Sequence, residues 1–493
     1  MMFSSMWASV SSASVHLMSV LLVLYFLLCA IKYIWNIYHN MQYDKTFQAP
    51  LPDGNMGWPI IGETIQLILK GSNFYEERFQ KHGKLFKTHI LGKPVIRVYG
   101  AENLQKIFQL ENEILSPSLP HSTRSLLGEH ALSSAFGARH TTMRKRALTA
   151  FRHSALASYV SSIQTQIDET LEDWCAREFV LVYPEMGELI FRVGGVTLCG
   201  FNYSKKDIMS LTKTFKVFMD NIFSLPINIP GSGLNKGMKA RKILLERIET
   251  SIRSKRDTDS SEDQNALRFL MECLDDTTDY DQIKDLALEL LFASFATTSS
   301  AATTLVLNLS RNPEVVARIK EELKESALHS SDDSLQLKLK DIHNLKYVSA
   351  VVTETLRITP PVGGGFRKVL QTFTLEGKQI PKDWTLVWSI RETMAYSSYY
   401  TNTHEFNPDR FMTDDKDEKF TQNRYNYCVF GGGPRSCIGK QFAILFLKVF
   451  TIELIRKCSW GIQAEDKLKM GFLPVPHPKN GLPVKFMPNL SPF

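Results

Sequence analysis

The sequence predicts a mainly α-helical body with a small β region, preceded by one N-terminal transmembrane helix. Three observations predict it. An uncharged apolar stretch lies near the start, helical periodicity fills most of the remaining chain, and two segments carry the alternation and turn residues of β-hairpins. With 493 residues, 44% hydrophobic and 22% charged, the chain has the apolar content of a large globular body and none of the bias of a disordered one. The 58 basic and 51 acidic residues leave a net charge of +7, too mild and too dispersed for a nucleic-acid surface. Seven scattered cysteines, an odd number, do not make a disulfide framework and suit a reducing compartment.

Taken in order, residues 1–14 are an N-terminal tail and 15–35 a transmembrane anchor. No Lys, Arg, Asp or Glu precedes Lys32, and the stretch has about the twenty residues that a bilayer needs. Tyr33 and Trp35 suit an interface, and the flank of Lys32 and Lys45 places the body on the cytoplasmic side. A cleaved signal peptide is the competing reading, but a basic leader region and a small-residue cleavage site are both missing. Residues 36–62 form a linker and hinge whose Pro50, Pro52 and Pro59 fix the exit angle of the body. Residues 63–493 read as a single catalytic domain. Within it, 84–89 and 94–99 form a hairpin through Leu91-Gly92-Lys93, and 372–388 form a second. The longest helix spans 281–312 before Pro313, roughly 45 Å at the helical rise. Its middle is apolar or hydroxylic all round, so it lies inside the body; Ser294, Thr297, Thr298 and their neighbours make it too polar for a second span. The polar stretches 253–264 and 329–335 read as surface loops.

The residues that carry chemistry lie near the C-terminus, in Phe430-Gly-Gly-Gly433-Pro-Arg435-Ser-Cys437-Ile-Gly439, followed by a helical run over 440–457. A cysteine at the head of a helix has backbone N–H groups beside its sulfur, which favour a thiolate metal ligand. The flanking glycines allow close approach of a flat macrocycle, and Arg435 can pair with a carboxylate on its edge. A buried structural cysteine in a tight turn is the plainer reading. Upstream, Glu354 and Arg357 share one helix face three residues apart, and Arg410 in Phe406-Asn-Pro-Asp-Arg410-Phe411 is a candidate third member of a buried charge network.

In combination these motifs resemble the cytochrome P450 superfamily from about Leu51 to the end, and more closely its retinoic acid hydroxylase family. Phe223-Ser-Leu-Pro-Ile227, Gly237-Met-Lys-Ala-Arg241, Phe406 to Phe411 and Phe430 to Gly439 carry the closer likeness. Gly54-Asn-Met-Gly-Trp-Pro59 also resembles plant hydroxylases of terpenoid hormones, so the implied substrate is retinoic-acid-like or another terpenoid or sterol lipid. The resemblance implies the cytochrome P450 fold, a long central helix over heme b (iron protoporphyrin IX), and electrons from NADPH through a cytochrome P450 reductase. It also implies an endoplasmic reticulum membrane location. Cys437 would be the axial ligand of the heme iron, with Phe430, Gly433 and Gly439 shaping its loop. Arg435, Arg144 (in His140-Thr-Thr-Met-Arg144) and Arg367 would face the heme propionates, with His140 where the family has Trp. Glu354, Arg357 and Arg410 would be structural. A retinoid carboxylate would be received by Lys93 and Arg97, and Leu119, Phe223, Phe292 and Val362 would wall the apolar part.

One departure bears on mechanism. Where the superfamily places an acid before its threonine, this chain reads Ala293-Ser-Phe-Ala296-Thr297-Thr298. The threonine is present and the acid is absent. A carboxylate there would feed protons through water toward dioxygen, and Ala296 cannot. Three readings stay open: a monooxygenase using Thr297, water or a substrate carboxylate; an isomerase or dehydratase working without dioxygen activation; and a weakly active protein that sequesters an apolar ligand.

Overall fold

The computed structural model describes residues 2–202, 204–257, 265–272, 280–329, 335–412 and 423–489. The chain divides into two units. One is formed by residues 1–99, 114–116 and 365–388, the other by 100–113, 117–364 and 389–493.

The first unit holds the N-terminal helix and the main sheet. Its helix runs Met2–Asn40, and residues 18–40 are long and apolar enough to cross a membrane. The sheet has six strands in the order Gly54–Asn55, Leu85–Ile90, Lys93–Val98, Thr385–Ser389, Gly364–Val369, Leu115–Pro117. Leu85–Ile90 and Lys93–Val98 pair antiparallel, turning through Leu91 and Gly92, both at positive φ. The segment 372–388 departs from the single expected hairpin. Phe373–Leu375 pairs with Lys378–Ile380, and Thr385–Ser389 then leaves to lie parallel beside Lys93–Val98. The chain redirects at Asp383, which has a φ of 67° and donates its N–H to the Val369 carbonyl.

The second unit is built on helices. The central helix, Tyr280–Arg311, is buried at both ends of its length, from Ile283 to Leu291 and from Thr298 to Leu309. It is long and apolar enough to cross a membrane but is mostly enclosed by protein, so it is a core helix. Val182–Thr197 lies close against it because glycines face it: a Cβ on Gly187 would sit 3.1 Å from the Phe295 ring. A second core helix, Lys440–Lys457, packs its Phe442 and Phe450 against Tyr159 and Trp174 of His153–Ala176. Gly233–Asp257 runs into the stretch expected as a loop over 253–264. Ile248 and Ile252 are buried on its inner face and Glu249 pairs with Arg253 one turn on; residues 258–264, and 330–334 of the other expected loop, lie outside the described residues.

Candidate active site

The cysteine loop sits directly ahead of the helix Lys440–Lys457, with Gly439 as its N-cap. The Cys437 N–H donates to the Phe430 carbonyl at 2.8 Å, closing the loop on itself. One side of the loop is packed tight. A Cβ on Gly432 would meet the rings of Phe108 and Tyr425 at 2.4 Å, and Gly433, at a φ of 63°, would bring one to 2.5 Å from the Phe108 carbonyl oxygen. The other side is open, for a Cβ on Gly439 would meet nothing within 4 Å.

Around this loop the structure gathers several of the residues singled out from the sequence. Arg144, on the helix Gly137–Leu148, donates to Ser436 Oγ at 3.0 Å, next to Cys437. Arg435 is nearly enclosed and donates to Asn112 Oδ1 at 2.9 Å and to the Ala135 carbonyl, with Glu111 Oε2 at 3.5 Å. Asn112 in turn contacts His140 Nδ1 at 3.1 Å. Asn112 holds a left-handed backbone, φ 67°, which aims its side chain at both partners. Glu111 and Asn112 were not legible as site residues; a lone Glu-Asn pair after a helix carries no motif.

Burial pushes the Cys437 thiol up, outweighing the Gly439 N–H, Arg144 and Lys440, which favour the thiolate. The helix proper begins only at Lys440, and Cys437 stays exposed on the open side of the loop. A thiol so placed ionises when a bound cation compensates it.

The central helix lies in the same unit and carries the stretch singled out from the sequence. Its residues 292–297 are accessible although the helix is buried on either side, so the protein interior opens there. The Thr297 hydroxyl donates to the Ala293 carbonyl at 2.7 Å and Ser294 Oγ to the Leu291 carbonyl at 2.9 Å. The three acids of this helix lie earlier, and all are engaged: Asp281 pairs with Lys284 at 2.6 Å, and the two nearer ones are held by a loop. Glu289 accepts N–H bonds from Leu132 and Ser133, the latter at 2.8 Å, and Asp285 accepts from His130 N–H at 3.2 Å and pairs with Arg241. Burial pushes both carboxyls up. A thiol open on one side, glycines that leave room beside it and an accessible stretch in a core helix suit a flat cofactor carrying a metal.

Glu354, Arg357 and Arg410 come together in the second unit. Arg357 meets Glu354 with two bonds of 2.6 and 2.8 Å, and Arg410 Nε lies 3.3 Å from Glu354 Oε1. The same carboxylate accepts the Asn407 N–H at 2.9 Å, while Arg357 and Arg410 donate to the carbonyls of Thr403, Glu405, Thr401 and Asn402.

A sequence model of the family described as Cytochrome P450 matches residues 52–482. The chain belongs to the cytochrome P450 family. The match extends to whole relatives. Cytochrome P450 26B1 of Homo sapiens is 38% identical over 483 residues, covering 96% of this chain and 94% of that protein. Cytochrome P450 26A1 of Danio rerio is 39% identical over 484 residues, covering 95% and 97%. The solved structure of retinoic acid bound cyanobacterial CYP120A1 has a TM-score of 0.80 and 32% identity, covering 90% of this chain and all of that one. As a cytochrome P450 the chain has the predicted mainly helical fold and is a heme-thiolate monooxygenase, supplied with electrons from NADPH by a reductase.

The remaining candidates are placed as follows. In the first unit, Arg367 lies on Gly364–Val369 with its guanidinium 5.7 Å from the Trp388 ring. On Lys93–Val98, Lys93 is exposed, whereas Arg97 is buried with its guanidinium 4.1 Å from the Tyr75 ring. In the second unit Leu119 and Phe292 are half-buried, Val362 is exposed and Phe223 is 62% exposed.

Proposed function

We propose that this cytochrome P450 hydroxylates an elongated apolar carboxylate of the retinoic acid class. The observation that carries the reading is the likeness, along 90% of the chain, to a solved structure with retinoic acid bound. Arg97 supports it, being a buried cation on a strand, backed by aromatic rings and suited to a carboxylate.

Heme, when bound, supplies reductive activation of dioxygen. Cys437 holds its iron, with Phe430, Gly433 and Gly439 shaping the loop. Arg435, Arg144 and Arg367 take the propionates, and His140 steadies Arg435 through Asn112. Glu354, Arg357 and Arg410 tie the segment 401–407 to the helix Lys346–Ile358. Lys93 and Arg97 orient the substrate by its carboxylate, while Leu119, Phe223, Phe292 and Val362 exclude water from its chain. Thr297, whose proton is committed to the Ala293 carbonyl, offers its oxygen as an acceptor that holds a water. The body faces the cytoplasm from the endoplasmic reticulum membrane, where a membrane-bound reductase reaches it.

Two measurements test this. Spectral titration with retinoic acid and with a matched retinyl ester is expected to show tighter binding of the acid; equal affinities refute the carboxylate contact. Reduced enzyme under carbon monoxide is expected to show the red-shifted Soret band of a thiolate-ligated heme, and heme-loaded Cys437→Ser to lack it. A Cys437→Ser protein that keeps the band has another ligand.

A further inference from the structure

A second binding site lies in the helical unit, lined by the helix that comes after the cysteine loop. A cavity of about 300 Å³ opens where Lys440–Lys457, the start of His153–Ala176 and the short helix Leu339–Asn344 meet. That volume is at the lower end of the range for small-molecule sites. Leu156, Ile342 and Ile444 supply apolar wall. The polar lining includes His153, His343 and Lys448, all cationic or able to become so. The two imidazole rings stand 6.2 Å apart, and burial, with Lys448 and His153 adding to it, favours the neutral His343 ring, a hydrogen-bond donor beside the Lys448 ammonium.

Lys448 is the informative member. Its residue surface is only 8% exposed, and among the described residues it makes no hydrogen bond or ion pair. A buried ammonium without an acid is costly, and burial lowers its pKa accordingly. Glu322 is the acid whose charge reaches it, but that carboxylate accepts the N–H groups of Tyr347 at 2.7 Å and Val348 at 2.9 Å. The cavity therefore offers, at one pole, a buried ammonium whose hydrogen-bonding capacity is unused among the described residues, and hydrocarbon around it. A divalent metal is repelled by the ammonium, and a bare inorganic anion wastes the apolar wall.

We infer that this cavity binds a compact amphipathic carboxylate, its headgroup on Lys448 between the two histidines and its hydrocarbon against Leu156, Ile342 and Ile444. The site is separate from the monooxygenase substrate site and does not depend on which substrate that site takes.

The test uses full-length, heme-loaded enzyme whose active site is saturated with a heme-ligating azole. Octanoate and octanol are titrated into it by calorimetry. Octanoate is expected to bind one to one and octanol at least about tenfold more weakly, the loss of one charge-assisted contact. Lys448→Met is expected to weaken octanoate by a similar factor, and Ile444→Trp to fill the cavity and remove binding. Leu156→Trp serves the same end should Ile444→Trp fail to take up heme, which the carbon monoxide spectrum reports for each variant. No octanoate binding by the wild type, equal binding of octanol, or unchanged octanoate affinity in Lys448→Met overturns the inference.

Discussion

Ala296 leaves the central helix without a carboxylate where the family's proton supply usually has one, and the structure shows what stands in its place. Thr297 spends its proton on the Ala293 carbonyl, and the nearest acids on the same helix, Glu289 and Asp285, are bound to the backbone of residues 130–133. Gly128, at a φ of 101°, makes room for that arrangement, since a Cβ there would lie 2.2 Å from Asp285 Oδ2. Neither acid is free to take the missing role, so on the proposed reading Thr297 and water would have to carry the proton supply. Slow delivery would divert electrons into hydrogen peroxide. Reductase-supported turnover is therefore expected to consume more NADPH than it yields product. Ala296→Glu should raise the ratio of product to NADPH, and Thr297→Ala should lower it and release more peroxide. Assays of product, NADPH and peroxide on one substrate check this, and an unchanged ratio in Ala296→Glu shows that proton supply does not limit coupling. The sequence made the gap visible because a missing acid in a known pattern is legible. The fixing of Glu289 and Asp285 was not, because it depends on loop amide positions more than 150 residues away.

At the scale of the element, the helix Lys346–Ile358 is held by its C-terminal turn. Glu354 is fully buried and satisfies two guanidinium groups and one backbone N–H, so nearly every lone pair of its carboxylate is used. Arg357 and Arg410 pass that charge on to four carbonyls of the segment 401–405. Removing the carboxylate leaves two cations facing one another without compensation. Glu354→Ala is expected to cost about 3–5 kcal/mol and to collapse heme incorporation. A variant that folds, takes up heme and loses only turnover would place Glu354 in the chemistry instead. Elements of this kind were legible where a motif met a strong boundary: the central helix ends at Arg311 before Pro313, and the last core helix begins right after Gly439. They were less legible where pairing is non-local. Thr385–Ser389 joins the sheet beside residues almost 300 positions earlier, which no local alternation records.

At the scale of the whole molecule, the N-terminal helix does not end as a free tether. In the first unit its last turns are fastened to the hinge: Trp35 Nε1 donates to the Met56 carbonyl at 3.3 Å, Asn36 Oδ1 accepts the Met56 N–H at 3.2 Å, and Lys32 lies 5.4 Å from the Trp58 ring. The sequence read prolines as fixing this exit, and the structure adds an aromatic lock. His89, on the sheet, sits against Trp35 and His39 at ring distances of 5.3 Å, and His39 reaches Trp384 at 6.4 Å. Gly62, at a φ of 64°, permits the approach, because a Cβ there would lie 2.0 Å from the His89 carbonyl oxygen. Burial, with His39 adding to it, pushes the His89 imidazole down to about 4. Its folded pKa is thus below the ordinary value, so the neutral ring is the form the lock accepts. The stability it contributes is present above about pH 6.5 and is lost as pH falls toward 4. Allowing for solvent screening, that loss is about 1–2 kcal/mol. Limited proteolysis of the hinge 41–57 in detergent or bilayer is expected to accelerate from pH 7 to pH 5. His89→Phe, which keeps the ring and removes the titration, should flatten that dependence. If His89→Phe retains the full acid sensitivity, a different group opens the hinge and the lock is held by Trp35 and Asn36 alone.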